Sequence, residues 1–283
     1  MDSNDISVSM CVYGGDNAVY FDCAIDSIIN QTFKPKEIVL TVDGPIPDDI
    51  NNVIKKYRTQ LEQSSITFKV ICLKQNKGHG EARRICLHNC EAEIVALMDA
   101  DDLSVPFRFQ KQIEYFNAHP DVSIVGGQIT EFISASNPLD ISNTAGVRKV
   151  PENDDKIKQY MKKRCPMNQV TVMFKKKDLD EVGGYIDWYC EEDYYLWIRL
   201  YLAGKKFGNV PDNLVNVRVG DEMYQRRGGV RYFLSEYKLQ LLMLRNNIIN
   251  IPQFIENVSM RFILQIIMPN NIRGWVYKRF ARN

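Results

Sequence analysis

No stretch of the 283 residues holds the roughly eighteen uninterrupted apolar residues of a membrane-spanning helix, so no segment reads as one. Histidine is scarce, with only His79, His88 and His119. His88 falls in a helical pattern and His119 precedes Pro120, which leaves His79, in a glycine turn, as the only histidine placed for chemistry. There is no G-x-S-x-G elbow and no G-x-x-x-x-G-K-S/T loop, so a serine hydrolase of that design and a P-loop ATPase are both unsupported. Net charge is almost absent, 36 basic against 35 acidic residues, which argues against a nucleic-acid coat. The seven cysteines form no C-x-x-C pair. Cys86 and Cys90 lack a second ligand pair at zinc-finger spacing, and reduced buried thiols account for them better. The acidic, polar opening Met1-Asp2-Ser3-Asn4-Asp5 is unlike a signal peptide, and the expectation is a cytoplasmic chain.

What is present is the mixture of a globular protein, 45% hydrophobic and 25% charged, long enough for one large domain or two small ones. The first hundred residues alternate strand and helix patterns. Ile6 to Tyr13 reads as a strand closed by Gly14-Gly15, and Tyr20 to Asn30 sets Phe21, Ala24, Ile25, Ile28 and Ile29 on one helical face. Strands at Glu37–Val42, Ile66–Leu73 and Glu93–Asp99 are separated by helices at Pro47–Gln63 and Gly80–Asn89. This order predicts a parallel sheet with helices on both faces, and ligands in such sheets bind beyond the carboxyl ends of the strands. Tyr13, Asp43 and Asp99 stand at three of those ends.

The second half is mixed. Helices are predicted at Phe107–Phe116, Glu191–Ala203, Val230–Arg245 and Pro252–Met268, and strands at Val122–Phe132 and Val170–Phe174. Residues 134 to 155 read as polar loop. After Glu256 no acid remains, whereas Arg261, Arg273, Lys278, Arg279 and Arg282 are basic and Trp275, Tyr277 and Phe280 aromatic. Such a tail on a mildly acidic body suits an anionic membrane surface, or equally a helix packed on the body.

Three segments carry chemistry. Asp99-Ala100-Asp101-Asp102 follows an apolar strand; an oxygen-rich set suits magnesium or manganese, and an extended backbone would point Asp99 and Asp101 to the same side. The bland reading is a turn, which aspartates favour. Asn76-Lys77-Gly78-His79-Gly80 runs into a helix, but Arg83 stands where a dinucleotide fingerprint needs its third glycine. Its backbone N–H groups, Lys77 and two arginines could sit near a diphosphate, or simply be solvated. Glu191-Glu192-Asp193 opens an apolar-striped helix, as helix capping alone would explain; alternatively one carboxylate is a general base, with Trp188 and Tyr189 as a sugar platform.

Taken together, the segments resemble the inverting glycosyltransferases of family 2, which have the GT-A fold. The resemblance runs from Ser7 to about Gly229. It rests on the first strand Val8–Tyr13, Ser27-Ile28-x-x-Gln31-Thr32, Glu37-Ile38-Val39 through Asp43-Gly44, Asn76-x-Gly78 with Ala82-Arg83, Asp99-Ala100-Asp101-Asp102, Val182-Gly183-Gly184-Tyr185, and Glu192-Asp193 through Arg199-Leu200. Leu214-Val215-x-x-Arg218-Val219 and Arg226-Arg227-Gly228-Gly229 narrow it to bacterial enzymes that build surface polysaccharides, including the amylovoran type and O-antigen glucosyl- and galactosyltransferases. The fold so implied is α/β, a Rossmann-like central mixed sheet flanked by helices, with a C-terminal helical extension. Residues 1–104 would form the nucleotide-sugar half, 105–229 the acceptor half and 230–283 the extension.

The resemblance also implies roles. Asp43 would bind uracil, Asp99 the ribose side of UDP, and Asp101 a manganese or magnesium ion. Tyr13, Arg83, Arg226 and Arg227 would lie along the nucleotide, and Trp188 and Glu192 along the acceptor. Asp193 would be the base. The donor would be a UDP-sugar, UDP-glucose or UDP-galactose, and the acceptor a lipid-linked saccharide, commonly polyprenyl-diphosphate GlcNAc, at the cytoplasmic face of the inner membrane. One departure stands out: relatives usually carry Asn-His where this chain has Asn168-Gln169, and glutamine cannot titrate. Two other readings compete. A nucleotide-sugar pyrophosphorylase would want G-x-G-T-R-L after the first strand, where this chain has Tyr13-Gly14-Gly15-Asp16; a non-catalytic binding module would have little need of Asp43, Asp99, Asp101 and Asp193 together.

Overall fold

The computed structural model describes residues 5–220 and 228–268. In chain order the elements are β1 (Ile6–Tyr13), α1 (Ala18–Ile29), β2 (Glu37–Asp43), α2 (Asp48–Leu61), β3 (Thr67–Cys72), α3 (His79–His88), β4 (Ile94–Met98) and β5 (Leu103–Ser104). Then follow α4 (Arg108–Ala118), β6 (Val122–Phe132), β7 (Thr144–Arg148), α5 (Asp154–Met161), β8 (Met173–Lys175), α6 (Lys176–Glu181), α7 (Glu192–Leu202), β9 (Lys206–Arg218), α8 (Val230–Arg245) and α9 (Ile251–Phe262).

The described strands form one nine-stranded sheet in the order β3-β2-β1-β4-β8-β6-β9-β5, with β7 alongside β6. The first four are parallel, as the alternation of patterns predicts. β8 runs antiparallel to both β4 and β6, whereas β9 runs parallel to β6, so the whole sheet is mixed and continuous through the 104/105 boundary. Both faces are covered, which is why β2 and β4 are buried along their whole length and β4 reads as an unbroken apolar run. On one face α1, α2 and α4 bring Phe21, Ile25, Ile54, Tyr57 and Phe116 into the core. On the other, α3, α5, α7 and α8 supply Leu87, Ile157, Trp197 and Leu239. Cys86 and Cys90 belong to this second core; the Cys86 thiol lies 3.0 Å from the Val39 carbonyl oxygen and that of Cys90 lies 3.4 Å from the Cys86 carbonyl.

The structure corrects the reading of residues 134–155 as loop. They contain β7 and the start of α5, which Asn153 caps by accepting the Lys156 N–H. The sequence patterns also miss β9, because Asn209-Val210-Pro211-Asp212-Asn213 resembles a turn. Its register against β6 jumps there, from Gly127 paired with Val210 to Gln128 paired with Asn213, so the proline sits outside the ladder. The expected strand Val170–Phe174 is instead a 3₁₀ turn, Gln169–Thr171, followed by β8.

At the C-terminal end α8 and α9 pack as a hairpin; Asn250 and Gln253 close a reciprocal capping box at the start of α9. A π-helical turn, Ile263–Ile267, follows, with Gln265 hydrogen-bonded to Glu236 and Arg261 paired to the same carboxylate at 2.9 Å. Among the described residues no helix is long and apolar enough to cross a membrane.

Candidate active site

The carboxyl ends of β1, β2 and β4 lie side by side. β1 ends at Tyr13, 44% exposed, whose N–H donates to Asp16 Oδ2 at 2.9 Å. β2 ends at the buried Asp43, and each of its oxygens holds the glycine turn: Oδ1 accepts from Lys77 N at 2.7 Å and Oδ2 from Gly78 N at 3.0 Å. Asp43 is thus the anchor of the Asn76-x-Gly78 turn. Gly44 follows with φ +86°, and a Cβ there would stand 2.5 Å from the backbone nitrogen of Asn76. Gly44→Ala is expected to cost about 1–3 kcal/mol, from strain at positive φ, and to push the turn off Asp43. Urea melts and a UDP titration check this: stability and affinity fall together if the turn shapes the site.

β4 delivers Asp99, which accepts Arg83 Nη2 at 2.7 Å. Arg83 comes from α3 and is only 4% exposed, and its Nη1 is buried with no partner among the described residues. Burial works against its charge, but Asp99 foremost, with Tyr185 and Glu192, keeps it fully protonated. Tyr185 underlies the guanidinium, 5.6 Å from the ring centre, and its hydroxyl accepts Gln169 Nε2 at 3.1 Å. The motif Val182-Gly183-Gly184-Tyr185 thereby acquires a physical purpose. Two glycines at φ +79° and +63° turn the chain, and Arg199 grips the Val182 and Gly184 carbonyls at 2.5 and 2.6 Å, delivering Tyr185 beneath Arg83.

Ala100 and Asp101 form a turn, so the extended backbone expected for Asp99 and Asp101 is absent and the same-side argument from strand geometry falls. What gathers the acids is their setting. The Asp101 carboxyl is pushed up to about 6, first by burial, then by the charges of Asp99 and Asp16, with Arg218 opposing. Asp16 is itself raised by burial and, to a lesser extent, by Asp99. Asp102 turns inward instead, accepting the Arg218 N–H at 2.8 Å, while Arg218 Nε donates to the Asp101 carbonyl at 2.9 Å. Gln31 braces the segment after the acid turn, donating to Val105 O at 2.7 Å and accepting from Phe109 N at 3.2 Å.

Among the described residues no three His, Cys, Asp or Glu side chains are set to hold a metal by themselves. A magnesium or manganese ion can be held by one or two carboxylates, with phosphate and water oxygens completing its shell. Asp101 is the carboxylate suited to it, being free of the Arg83 pairing and crowded by acids that a cation would relieve.

Across from this edge stands the start of α7. Glu191 is buried and accepts the Tyr232 hydroxyl at 2.6 Å. Glu192 lies 3.4 Å from His79 Nδ1, which ties α7 to the glycine turn. Burial raises the Glu192 carboxyl, but the His79 contact, a backbone N–H and the Arg83 charge together bring it below its ordinary value. Asp193 goes the other way: burial and then Glu192 raise it, against the pull of Arg148 and Arg83. Its Oδ1 accepts Tyr194 N at 2.6 Å, and the Cys165 thiol lies 3.7 Å from Oδ2. Trp188 is half-buried, packed on Tyr195 with ring centres 4.4 Å apart, and its indole N–H donates to the Ser235 carbonyl of α8 at 3.3 Å. Tyr189 beside it is exposed under the Arg231 guanidinium. Arg226 and Arg227 lie outside the described residues.

Sequence reasoning missed Asp16, Tyr185, Cys165 and Arg148 as neighbours of the site. Asp16 had a signal, a carboxylate three residues beyond a strand end, and Tyr185 had one in its Val182-Gly183-Gly184-Tyr185 motif, whereas Cys165 and Arg148 are brought in by tertiary structure alone.

The mixed sheet, the acid turn after its fourth strand, the basic glycine turn beside it and the facing carboxylates of α7 define a GT-A glycosyltransferase. The family model described as glycosyl transferase family 2 matches residues 7–182, and the chain belongs to that family. It is 33% identical over 281 residues to the UDP-Gal:alpha-D-GlcNAc-diphosphoundecaprenol beta-1,3-galactosyltransferase of Escherichia coli, covering 99% of this chain and 98% of that one. It is 32% identical over 238 residues to the amylovoran biosynthesis glycosyltransferase AmsE of Erwinia amylovora, covering 84% and 85% of the two chains. Among solved structures, the mannosyltransferase PcManGT from Pyrobaculum calidifontis, in complex with GDP-Man and Mn2+, shares the fold with a TM-score of 0.63 at 15% identity, covering 98% of this chain and 73% of that one. The protein is therefore an enzyme, a family 2 glycosyltransferase, and the pyrophosphorylase reading is set aside.

Proposed function

We propose that the enzyme moves galactose or glucose from a UDP-sugar to a polyprenyl-diphosphate-linked GlcNAc, with inversion, in the synthesis of O-antigen or exopolysaccharide. The observation that carries this reading is the end-to-end likeness to the E. coli galactosyltransferase, whose name specifies a UDP-sugar and a lipid-diphosphate GlcNAc. Residues 1–104 serve as the donor half, 105–229 as the acceptor half and 230–283 as the extension.

Asp43 reaches the uracil through the turn it anchors, Tyr13 lies beside the nucleotide, and Asp99, oriented by Arg83, takes the ribose hydroxyls. The spare Nη1 of Arg83 offers a buried donor to the diphosphate. Asp101 would hold a manganese or magnesium ion, which when bound would stabilise the charge that develops on the departing UDP. Glu192 orients the acceptor. Asp193 removes the proton from its hydroxyl; a carboxylate of raised pKa is a better base than an ordinary one. Attack from the face opposite UDP inverts the anomeric carbon, giving a β-linkage from an α-linked donor. The experiment is acceptor-dependent UDP release from a panel of UDP-sugars with a synthetic lipid-diphosphate GlcNAc and manganese or magnesium. Release with one donor names the sugar. UDP binding without release from any donor would favour a different acceptor or a binding module, and no UDP binding would sink the reading.

The same reading places the enzyme at the cytoplasmic face of the inner membrane, held through its C-terminal region. In support, Ile251, Ile255, Met260, Phe262, Ile263 and Ile267 are all exposed on α9 and the turn after it. The basic, aromatic run from Arg273 to Arg282 follows in sequence, outside the described residues. Ile255→Glu with Ile263→Glu in the full chain is expected to lower sedimentation with phosphatidylglycerol vesicles at least about fivefold, with UDP affinity kept. Unchanged sedimentation would count against lipid contact by this face.

A further inference from the structure

The geometry points to Arg148 as a diphosphate anchor on the acceptor side of the site, where its guanidinium receives the diphosphate of the lipid-linked acceptor beside Asp193. The inference rests on the function proposed above and adds a residue and a subsite to it.

Arg148 closes β7 and is fixed from both sides of its backbone. It pairs in register with Ile129 of β6, and its carbonyl accepts Asn168 Nδ2 at 3.2 Å, a side chain that also donates to Gly127 O at 2.9 Å. The guanidinium is far less satisfied than the backbone. Nη2 makes one long hydrogen bond, to Cys165 O at 3.3 Å, and Nε is buried with no partner among the described residues. Arg148 forms no ion pair among the described residues. Arg83 and Arg199 also keep one buried nitrogen without a partner there, Nη1 and Nε, but their guanidinium groups are otherwise committed, to Asp99 and to two carbonyls, and Arg218 holds Ser134, Pro138 and the Asp101 carbonyl. A buried guanidinium donor left without an acceptor is costly unless a ligand supplies one, and its planar fork matches phosphate oxygens.

Position selects which ligand. The residue whose carbonyl receives Arg148 is the one whose thiol reaches Asp193 Oδ2, so Cys165 links the guanidinium to the base. β7, Cys165 and α7 all come from the 105–229 half, whereas on the donor side the charge of Arg83 is already balanced by Asp99. A pyranose presenting a ring hydroxyl to Asp193 carries its anomeric diphosphate about one ring width away, and in the proposed pose that diphosphate faces the Cys165–Arg148 side. Arg148 thus discriminates a sugar carried on a diphosphate from a free or alkyl-linked one.

The test compares two acceptors, GlcNAc α-linked to a phenoxyalkyl diphosphate and octyl α-GlcNAc, in wild type, Arg148→Gln and Arg148→Lys. With Arg148→Gln the KM for the diphosphate acceptor is expected to rise roughly 30-fold, the scale of losing charge-assisted hydrogen bonds, with kcat within about twofold. The KM for octyl α-GlcNAc and the affinity for UDP stay unchanged, and Arg148→Lys, keeping the charge without the fork, falls between. Equal losses on both acceptors, weakened UDP binding or no change would each overturn the assignment. Calorimetric titration of the same two acceptors into the UDP-bound protein gives a readout without turnover. If wild type transfers no sugar, the proposed function fails, yet the anchor still stands or falls by the titration. A wild-type preference for the diphosphate compound that Arg148→Gln abolishes supports it, and equal affinities refute it. Should Arg148→Gln fail to melt cooperatively, Arg148→Lys carries the comparison under the same criteria.

Discussion

Asp193→Asn is expected to lower kcat by about 10³-fold while leaving the affinity for UDP within about twofold, the signature of a lost general base. Asparagine keeps the size of the side chain and can still accept the Tyr194 N–H through its amide oxygen, so the start of α7 keeps its geometry. What it cannot do is take a proton. The loss therefore falls on the chemical step, and single-turnover assays at saturating donor and acceptor separate it from binding. A loss below tenfold would move the role elsewhere, first to Glu192, although the His79 contact and the low pKa of that carboxyl suit it less.

Asp101→Asn is expected to separate function from stability. Manganese-dependent UDP binding should weaken by about 10- to 100-fold, because a neutral amide is a poor substitute for a carboxylate in an oxygen-ligand site. The metal-free protein should melt no lower than wild type, because the substitution removes one member of the Asp16, Asp99 and Asp101 cluster. Melting curves with and without manganese and UDP test both halves at once. A variant that loses stability in the metal-free state would show that Asp101 is held for packing rather than for a cation.

The parallel half of the sheet was legible because its strands are buried on both faces and its helices carry clean apolar stripes, as at Phe21, Ala24, Ile25 and Ile28 of α1. The second half was legible only where it stays regular. β7 has an exposed, glycine-broken pattern, and β9 steps around Pro211-Asp212, so local propensity and final structure disagree in both. Of the site, the polar strand ends Tyr13, Asp43 and Asp99 could be placed by topology alone, since parallel strands present their carboxyl ends together. The motifs could be recognised but not explained in advance. Gln31 and Arg199 brace backbone, and Asp43 holds a turn, whereas Arg83 with Tyr185 is the pair those braces position. Arg148 was illegible because nothing near it in sequence marks it, and only the return of residues 144–148 to the edge of β6 brings it to Asp193.

The hold of α8 on the acceptor loop has a consequence for how such enzymes diversify. Ser235 hydrogen-bonds both the Tyr189 carbonyl and the Trp188 indole, and Tyr232 binds Glu191 immediately before Glu192 and Asp193. The α8–α9 hairpin, whose α9 would meet the membrane and whose α8 grips the loop that would meet the sugar, is consequently one heritable module with that loop. Chimeras between relatives that exchange residues 185–191 alone should lose turnover on either parent's acceptor, whereas exchange of that loop together with residues 228–268 should carry acceptor preference across intact. New polysaccharide linkages would then arise by trading a paired segment that is discontinuous in the gene and contiguous in the protein.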